Sequence, residues 1–107
     1  MMSIIKYHKL VRDRIPEIIE KDVKRCVYSV LSREDYLSLL DLKLNEELAE
    51  YQESKSMEEL ADLLEVLRAV AAARGSSIEE VEQIRIQKAE KRGGFEKRLL
   101  LEEVIEE

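Results

Sequence analysis

Apolar residues recur at helical spacing through the middle of the chain. Leu37, Leu40, Leu44, Leu48 and Tyr51 form one stripe at intervals of three or four residues. Ser32 stands before it as an N-cap, with Glu34 and Asp35 suited to a first helical turn. The pattern predicts a helix running to about residue 54. Ser56 and Glu59 have the spacing of a capping box, and so do Ser77 and Glu80. The first opens a helix over about 57–74, and Gly75 ends it as a left-handed residue. The second opens a helix over roughly 78–92, broken by Gly93 and Gly94. The 57–74 helix carries Leu60, Leu63, Leu64, Val66, Leu67, Val70 and four alanines, Ala69 and Ala71 to Ala73. A helix apolar nearly all round is expected at the centre of a bundle.

The flanks read differently. Residues 1–15 suggest an extended arm, and Pro16 starts a short helix over 16–22. Residues 25–31, RCVYSVL, are rich in β-branched and aromatic types and predict a short strand. The tail, Phe95 to Val104, is either a second strand paired with it or a frayed helix; the strand is preferred. The fold expected is all-α: one domain over 1–107, a helical bundle with a small two-strand appendage. One chain covers both faces of the 57–74 helix poorly, so a homodimer or larger oligomer is expected.

Composition agrees with helices. The chain of 107 residues is 45% apolar and 39% charged, with three glycines and one proline. A formal net charge of -6 argues against a general nucleic-acid binder. Cys26 is alone, which excludes an internal disulfide and fits a reducing compartment; it reads as a small apolar strand residue. No apolar run is long enough for a membrane span, and MMSIIKYHKL is too short an apolar run for a secretory leader. The expected location is cytoplasmic.

The candidate chemistry is carboxylate chemistry. Glu47 and Glu50, then Glu59 and Asp62, are i, i+3 pairs on successive helices. Such spacings arise by accident in a chain with 24 acidic residues, so position carries more weight. Glu47 interrupts the apolar stripe between Leu44 and Tyr51. Asp62 and Glu65 are among the few polar residues on an otherwise apolar helix. Acids placed there need compensation, and hard oxygen ligands suit Mg²⁺ or Mn²⁺. A local alternative stays open: Glu65 pairs with Arg68, and Glu59 merely caps its helix. Glu46 and Glu53 read as solvated surface. His8, the single histidine, lies outside the bundle, so neither a di-iron site nor a histidine-based catalytic triad can be assembled.

Two basic clusters are candidates for binding ligand phosphates. One is Lys6, Lys9, Arg12 and Arg14 in the arm; the other is Lys88, Lys91 and Arg92, with Lys88 and Arg92 on one helix face. Either is equally readable as a solvated face, and the second as charge complementing a helix dipole. Gly93-Gly94 is not part of a phosphate loop of the GxxxxGK[ST] type.

The EELAE of 46–50 followed by the ELAD of 59–62 resembles the EExxE…ExxD motif of the MazG-type all-alpha nucleotide pyrophosphohydrolases. That superfamily includes phosphoribosyl-ATP pyrophosphohydrolase. YHKLVRDRIPEII (7–19) and KAEKRGGFEKR (88–98) look like the ends of a branch of small house-cleaning enzymes, which remove non-standard nucleotides. Eight residues separate Glu50 from Glu59, fewer than in many members. The resemblance implies a Mg²⁺-dependent hydrolase releasing a nucleoside monophosphate and pyrophosphate from a triphosphate. It implies Glu47, Glu50, Glu59 and Asp62 as metal ligands, with Glu47 or Glu50 accepting the water's proton. Lys88 and Arg92, or Lys9 and Arg12, would hold phosphate charge. It also implies an oligomer with sites near subunit interfaces. The rivals are phosphoribosyl-ATP as substrate and a non-catalytic helical dimerisation module with an acidic face.

Overall fold

A computed structural model describes residues 3–22 and 24–107. Within them the chain forms four helices: α1 (Ile15–Lys21), α2 (Arg33–Ser54), α3 (Met57–Ala73) and α4 (Ile78–Arg92). Each long helix begins on a serine. The hydroxyls of Ser32, Ser56 and Ser77 accept from the backbone N–H groups of Asp35, Glu59 and Glu80 at 3.2, 3.2 and 3.1 Å. Each bond satisfies one of the amides that a helix start leaves unpaired.

The helix ends are equally local in origin. After α3 the N–H of Ser76 donates to the Ala71 carbonyl at 2.9 Å and that of Gly75 to Ala72 at 3.1 Å. This is a Schellman closure, and it requires the positive φ that Gly75 adopts, 85°. After α2 the same left-handed corner falls on Lys55, φ 57°, whose N–H donates to the Tyr51 carbonyl at 2.7 Å. A side chain at such a φ carries a steric cost of about 1–2 kcal/mol.

The two-residue connection at Lys55 and Ser56 folds α2 and α3 into an antiparallel hairpin, the main packing unit of the chain. Its far end is tied by Arg74 to Asp41 at 3.0 Å and by Arg33 donating to the Ala73 carbonyl at 3.4 Å. The expected stripe faces this contact. Leu40 is buried, Leu37, Leu44 and Tyr51 are half-buried, and only Leu48 near the turn is largely open. α4 packs on α3 alone, and α1 packs on none of the other three helices.

Two expectations need correction. Among the described residues there is no β-strand; 25–31 and the tail from Phe95 are irregular. Val27, Val30, Leu99 and Leu100 stand in solvent with no ladder partner. β-branched content favours a strand only where another strand is there to pair with it. Cys26 is therefore not a strand residue; it is half-buried, with Sγ 3.8 Å from the Pro16 carbonyl oxygen. The 57–74 helix is not enclosed within one chain either. Of α3 only Val66 and Ala71 are buried, while Leu60, Leu64 and Leu67 remain exposed. With α2 on one side and α4 lightly on another, the remaining face has no cover among the described residues. The radius of gyration is 19.3 Å, against about 13 Å for a compact domain of this length. The expected arm lies over 3–14, with its first two residues outside those described. No helix is long and apolar enough to cross a membrane.

The left-handed corner supplies a direct check on the hairpin. Lys55→Gly is expected to stabilise the chain by about 0.5–1 kcal/mol by relieving the positive φ. Leu40→Ala, at the most buried leucine, is expected to cost about 2–5 kcal/mol. Urea denaturation followed by circular dichroism measures both.

Candidate metal centre

The hairpin explains why the four acids can meet. Glu47 lies about two turns before the corner, and Glu59 and Asp62 lie within two turns after it. At about 1.5 Å of rise per residue, these positions come level across the antiparallel pair. One carboxylate oxygen from each of Glu47, Glu59 and Asp62 lies within 4.8 Å of the others. A second group of the same kind joins Glu46, Glu47 and Glu50. Glu47 belongs to both, and is the point where the two helices' acids converge.

Glu47 is also the acid the fold has hidden. Its side chain is 9% exposed, and its Oε2 has no hydrogen-bond partner. Its Oε1 meets the ammonium of Lys43 at 3.4 Å. Glu59 Oε2 is likewise enclosed without a partner. An unsatisfied buried carboxylate oxygen costs on the order of 1–3 kcal/mol or more. Burial, and then Glu50 beside it, push the Glu47 carboxyl above the ordinary glutamate range, and Lys43 offsets part of that. Glu46 goes the other way. Burial alone would raise it, but Lys43 and then Lys9 hold it below the ordinary range.

Glu59 does not act as a capping side chain. Its backbone N–H uses the Ser56 hydroxyl, but the Ser56 N–H donates to Ser54 Oγ at 3.3 Å. The role a capping-box glutamate would fill is taken by Ser54, which leaves the Glu59 carboxylate to the cluster. Glu65 is exposed and forms no ion pair with Arg68 among the described residues.

Of the two basic clusters, the arm reaches the acids. Lys9 Nζ lies 3.4 Å from Glu46 Oε1, and Arg12 Nη2 lies 2.6 Å from Asp62 Oδ1. Lys88 and Arg92 are exposed on α4 and make no ion pair with these acids among the described residues. His8 is exposed at the start of the arm.

Lys43 escaped sequence reasoning, and Glu46 entered it only as the first glutamate of the EExxE resemblance. Lys43, 17% exposed, bridges Glu46 at 3.3 Å and Glu47 at 3.4 Å. Its signal was the i, i+3 and i, i+4 spacing to two acids from within the apolar stripe. Glu46, expected on the surface, is half-buried between Lys43 and Lys9.

Chemically, five carboxylates (Glu46, Glu47, Glu50, Glu59 and Asp62) face three cations (Lys9, Arg12 and Lys43). Two negative charges are left uncompensated. Mg²⁺ or Mn²⁺, with bonds near 2.1 Å, sets its ligand oxygens roughly 3–4 Å apart. The oxygens of Glu47, Glu59 and Asp62, within 4.8 Å of one another, lie close to that spacing. All donors are hard oxygens, which suits these ions and not a soft metal. The residues therefore fit a divalent ion held by Glu47, Glu59 and Asp62, with Glu50 and Glu46 beside it. A shallow groove lies elsewhere, lined by Asp13, Pro16, Glu17, Glu20, Lys21 and Tyr28. It is wide open and holds no buried unpaired group, so the hairpin cluster is the better candidate.

Comparison with known proteins adds little. No family model matches the chain, and no solved structure matches it significantly. A stretch of 42 residues is 50% identical to an uncharacterised protein of Mycolicibacterium smegmatis, covering 39% of this chain and 43% of that protein. The match spans less than half of that relative's length and brings no activity with it.

Replacing Glu47 separates the two consequences of its burial. Glu47→Gln is expected to raise metal-free stability by about 1 kcal/mol, because it removes a buried carboxylate that Lys43 offsets only in part. It should also abolish stabilisation by Mn²⁺ in a thermal shift. In metal-free wild type, the raised Glu47 carboxyl costs stability as pH climbs from the ordinary glutamate range through the raised value. That cost should be missing in Glu47→Gln, so the two stability–pH curves diverge above that range.

Proposed function

We propose that the chain is a Mg²⁺-dependent nucleotide pyrophosphohydrolase, cleaving a nucleoside triphosphate between its α- and β-phosphates to monophosphate and pyrophosphate. The observation that carries this reading is the buried, unpartnered Glu47 Oε2 at the meeting point of two acid groups. It is supported by the resemblance of EELAE and ELAD, with their flanking segments, to the MazG-type enzymes. Of the two substrates weighed, a nucleoside triphosphate leads, with phosphoribosyl-ATP as the alternative.

A divalent ion bound here would supply positive charge to the phosphate oxygens and lower the pKa of a coordinated water. The chain's own residues would do the rest. Glu47, Glu59 and Asp62 would hold the ion. Glu50, on the same helix face as Glu47, is placed to accept the proton of the attacking water, and Glu47 is the other candidate for that role. Lys9 and Arg12 are the cations nearest the acids and the first candidates to meet phosphate charge. Lys88 and Arg92 would contribute only through another copy of the chain or a rearranged α4. Phosphoryl transfer needs charge neutralisation and positioning more than covalent help, which matches a site built of carboxylates and bases.

The open face of α3 supports assembly. Leu60, Leu64 and Leu67, with Leu48 of α2, leave an apolar surface whose burial is worth about 1.5–3 kcal/mol per fully covered leucine. A second copy would cover it and add walls to a site that one chain leaves open.

Pyrophosphate release from a panel of standard and damaged nucleotides, with and without Mg²⁺, tests the proposal. Release is expected only with Mg²⁺, from a preparation that sediments as a dimer or larger. Asp62→Asn is expected to lower it at least about 100-fold with helicity intact. Undiminished activity in Asp62→Asn, or no release from any nucleotide, would count against the reading and favour an interaction module.

A further inference from the structure

Arg12 stands where it competes with an ion. Its guanidinium is 2.6 Å from Asp62 Oδ1, and Asp62 is one of the two acids, with Glu59, whose oxygens converge with Glu47. The segment that delivers it is lightly held. From Ser3 to Arg14 only Leu10 is half-buried, and α1, which follows, packs on no other helix. The ion pairs joining this segment to the hairpin among the described residues are Lys9–Glu46 and Arg12–Asp62, and the second is 58% and 42% exposed at its two ends. Pairs this exposed hold weakly and are screened by salt.

A divalent ion drawn to Glu47 Oε2 recruits Asp62 as well, and its charge repels a guanidinium at that carboxylate. We propose that Arg12 and the divalent ion are alternative partners of Asp62, so that loading the metal releases the N-terminal arm from the hairpin. The arm is then a counter-ion clamp on the metal-free site. This rests on the metal-site reading, and release from the acids would leave Lys9 and Arg12 free to meet ligand phosphate.

The test is calorimetric titration of Mn²⁺ into the full chain, beside limited tryptic cleavage. Arg12→Ala removes the competitor, so it is expected to bind Mn²⁺ about two- to fivefold more tightly than wild type, a gap that narrows at high salt. Lys21→Ala makes the same charge change in α1, where Lys21 pairs with Glu17, and is expected to leave the affinity unchanged. In wild type, Mn²⁺ is expected to speed cleavage at Lys9 and Arg12 relative to cleavage elsewhere. Equal or weaker Mn²⁺ binding by Arg12→Ala, or arm cleavage indifferent to Mn²⁺, would overturn the exchange while leaving the metal site standing. A wild type that binds no Mn²⁺ would overturn both.

Discussion

A carboxylate buried without a complete set of partners, at the middle of a two-helix hairpin, is the constraint on which the other features turn. Hydrophobic packing of α2 on α3 forces Glu47 inward, because it shares a stripe with Leu40, Leu44 and Tyr51. The same antiparallel packing brings Glu59 and Asp62 to its level. Negative charge therefore accumulates around a buried carboxylate, and something positive must answer it. Lys43 answers from within the helix, Lys9 and Arg12 answer from the arm, and two charges are still left over. On the reading proposed here a divalent ion supplies them.

Stability and chemistry pull against each other at this point. With three buried apolar side chains among the described residues, the chain has little packing energy to offset a hidden charge. It nevertheless carries one, and it leaves Leu60, Leu64 and Leu67 uncovered beside it. On the proposed reading a cation would answer the charge and another surface would cover the apolar face. The cluster and the open face lie on the same pair of helices but on different sides of α3, so only an assembly that reached the acids as well would lower the local dielectric around them. That would strengthen every electrostatic interaction among them.

The helices were legible because their signals are local. Ser32, Ser56 and Ser77 announce their caps within three residues, and Gly75 announces its corner by being the residue that tolerates it. The acids were legible in part, because Glu47 breaks an apolar stripe. What failed depended on partners elsewhere in space. The valines of 25–31 and the leucines of the tail have strand-like composition but no strand beside them, so composition misled. Glu46 looked like surface because the arm that covers it lies 37 residues away in sequence. Lys43 was missed because a lysine in a helix is ordinarily read as solvated, even at i, i+3 and i, i+4 from two acids. Which basic cluster serves the acids was undecidable from spacing, since Arg12 and Asp62 are 50 residues apart.

Crystals of the full chain grown with Mn²⁺ and measured at the manganese absorption edge would test the central claim most directly. The account predicts an anomalous peak within bonding distance of Glu47 Oε2 and of oxygens from Glu59 and Asp62. Glu47, Glu59 and Asp62 carrying no peak among them at millimolar Mn²⁺, with the acids instead turned apart toward solvent, would contradict it.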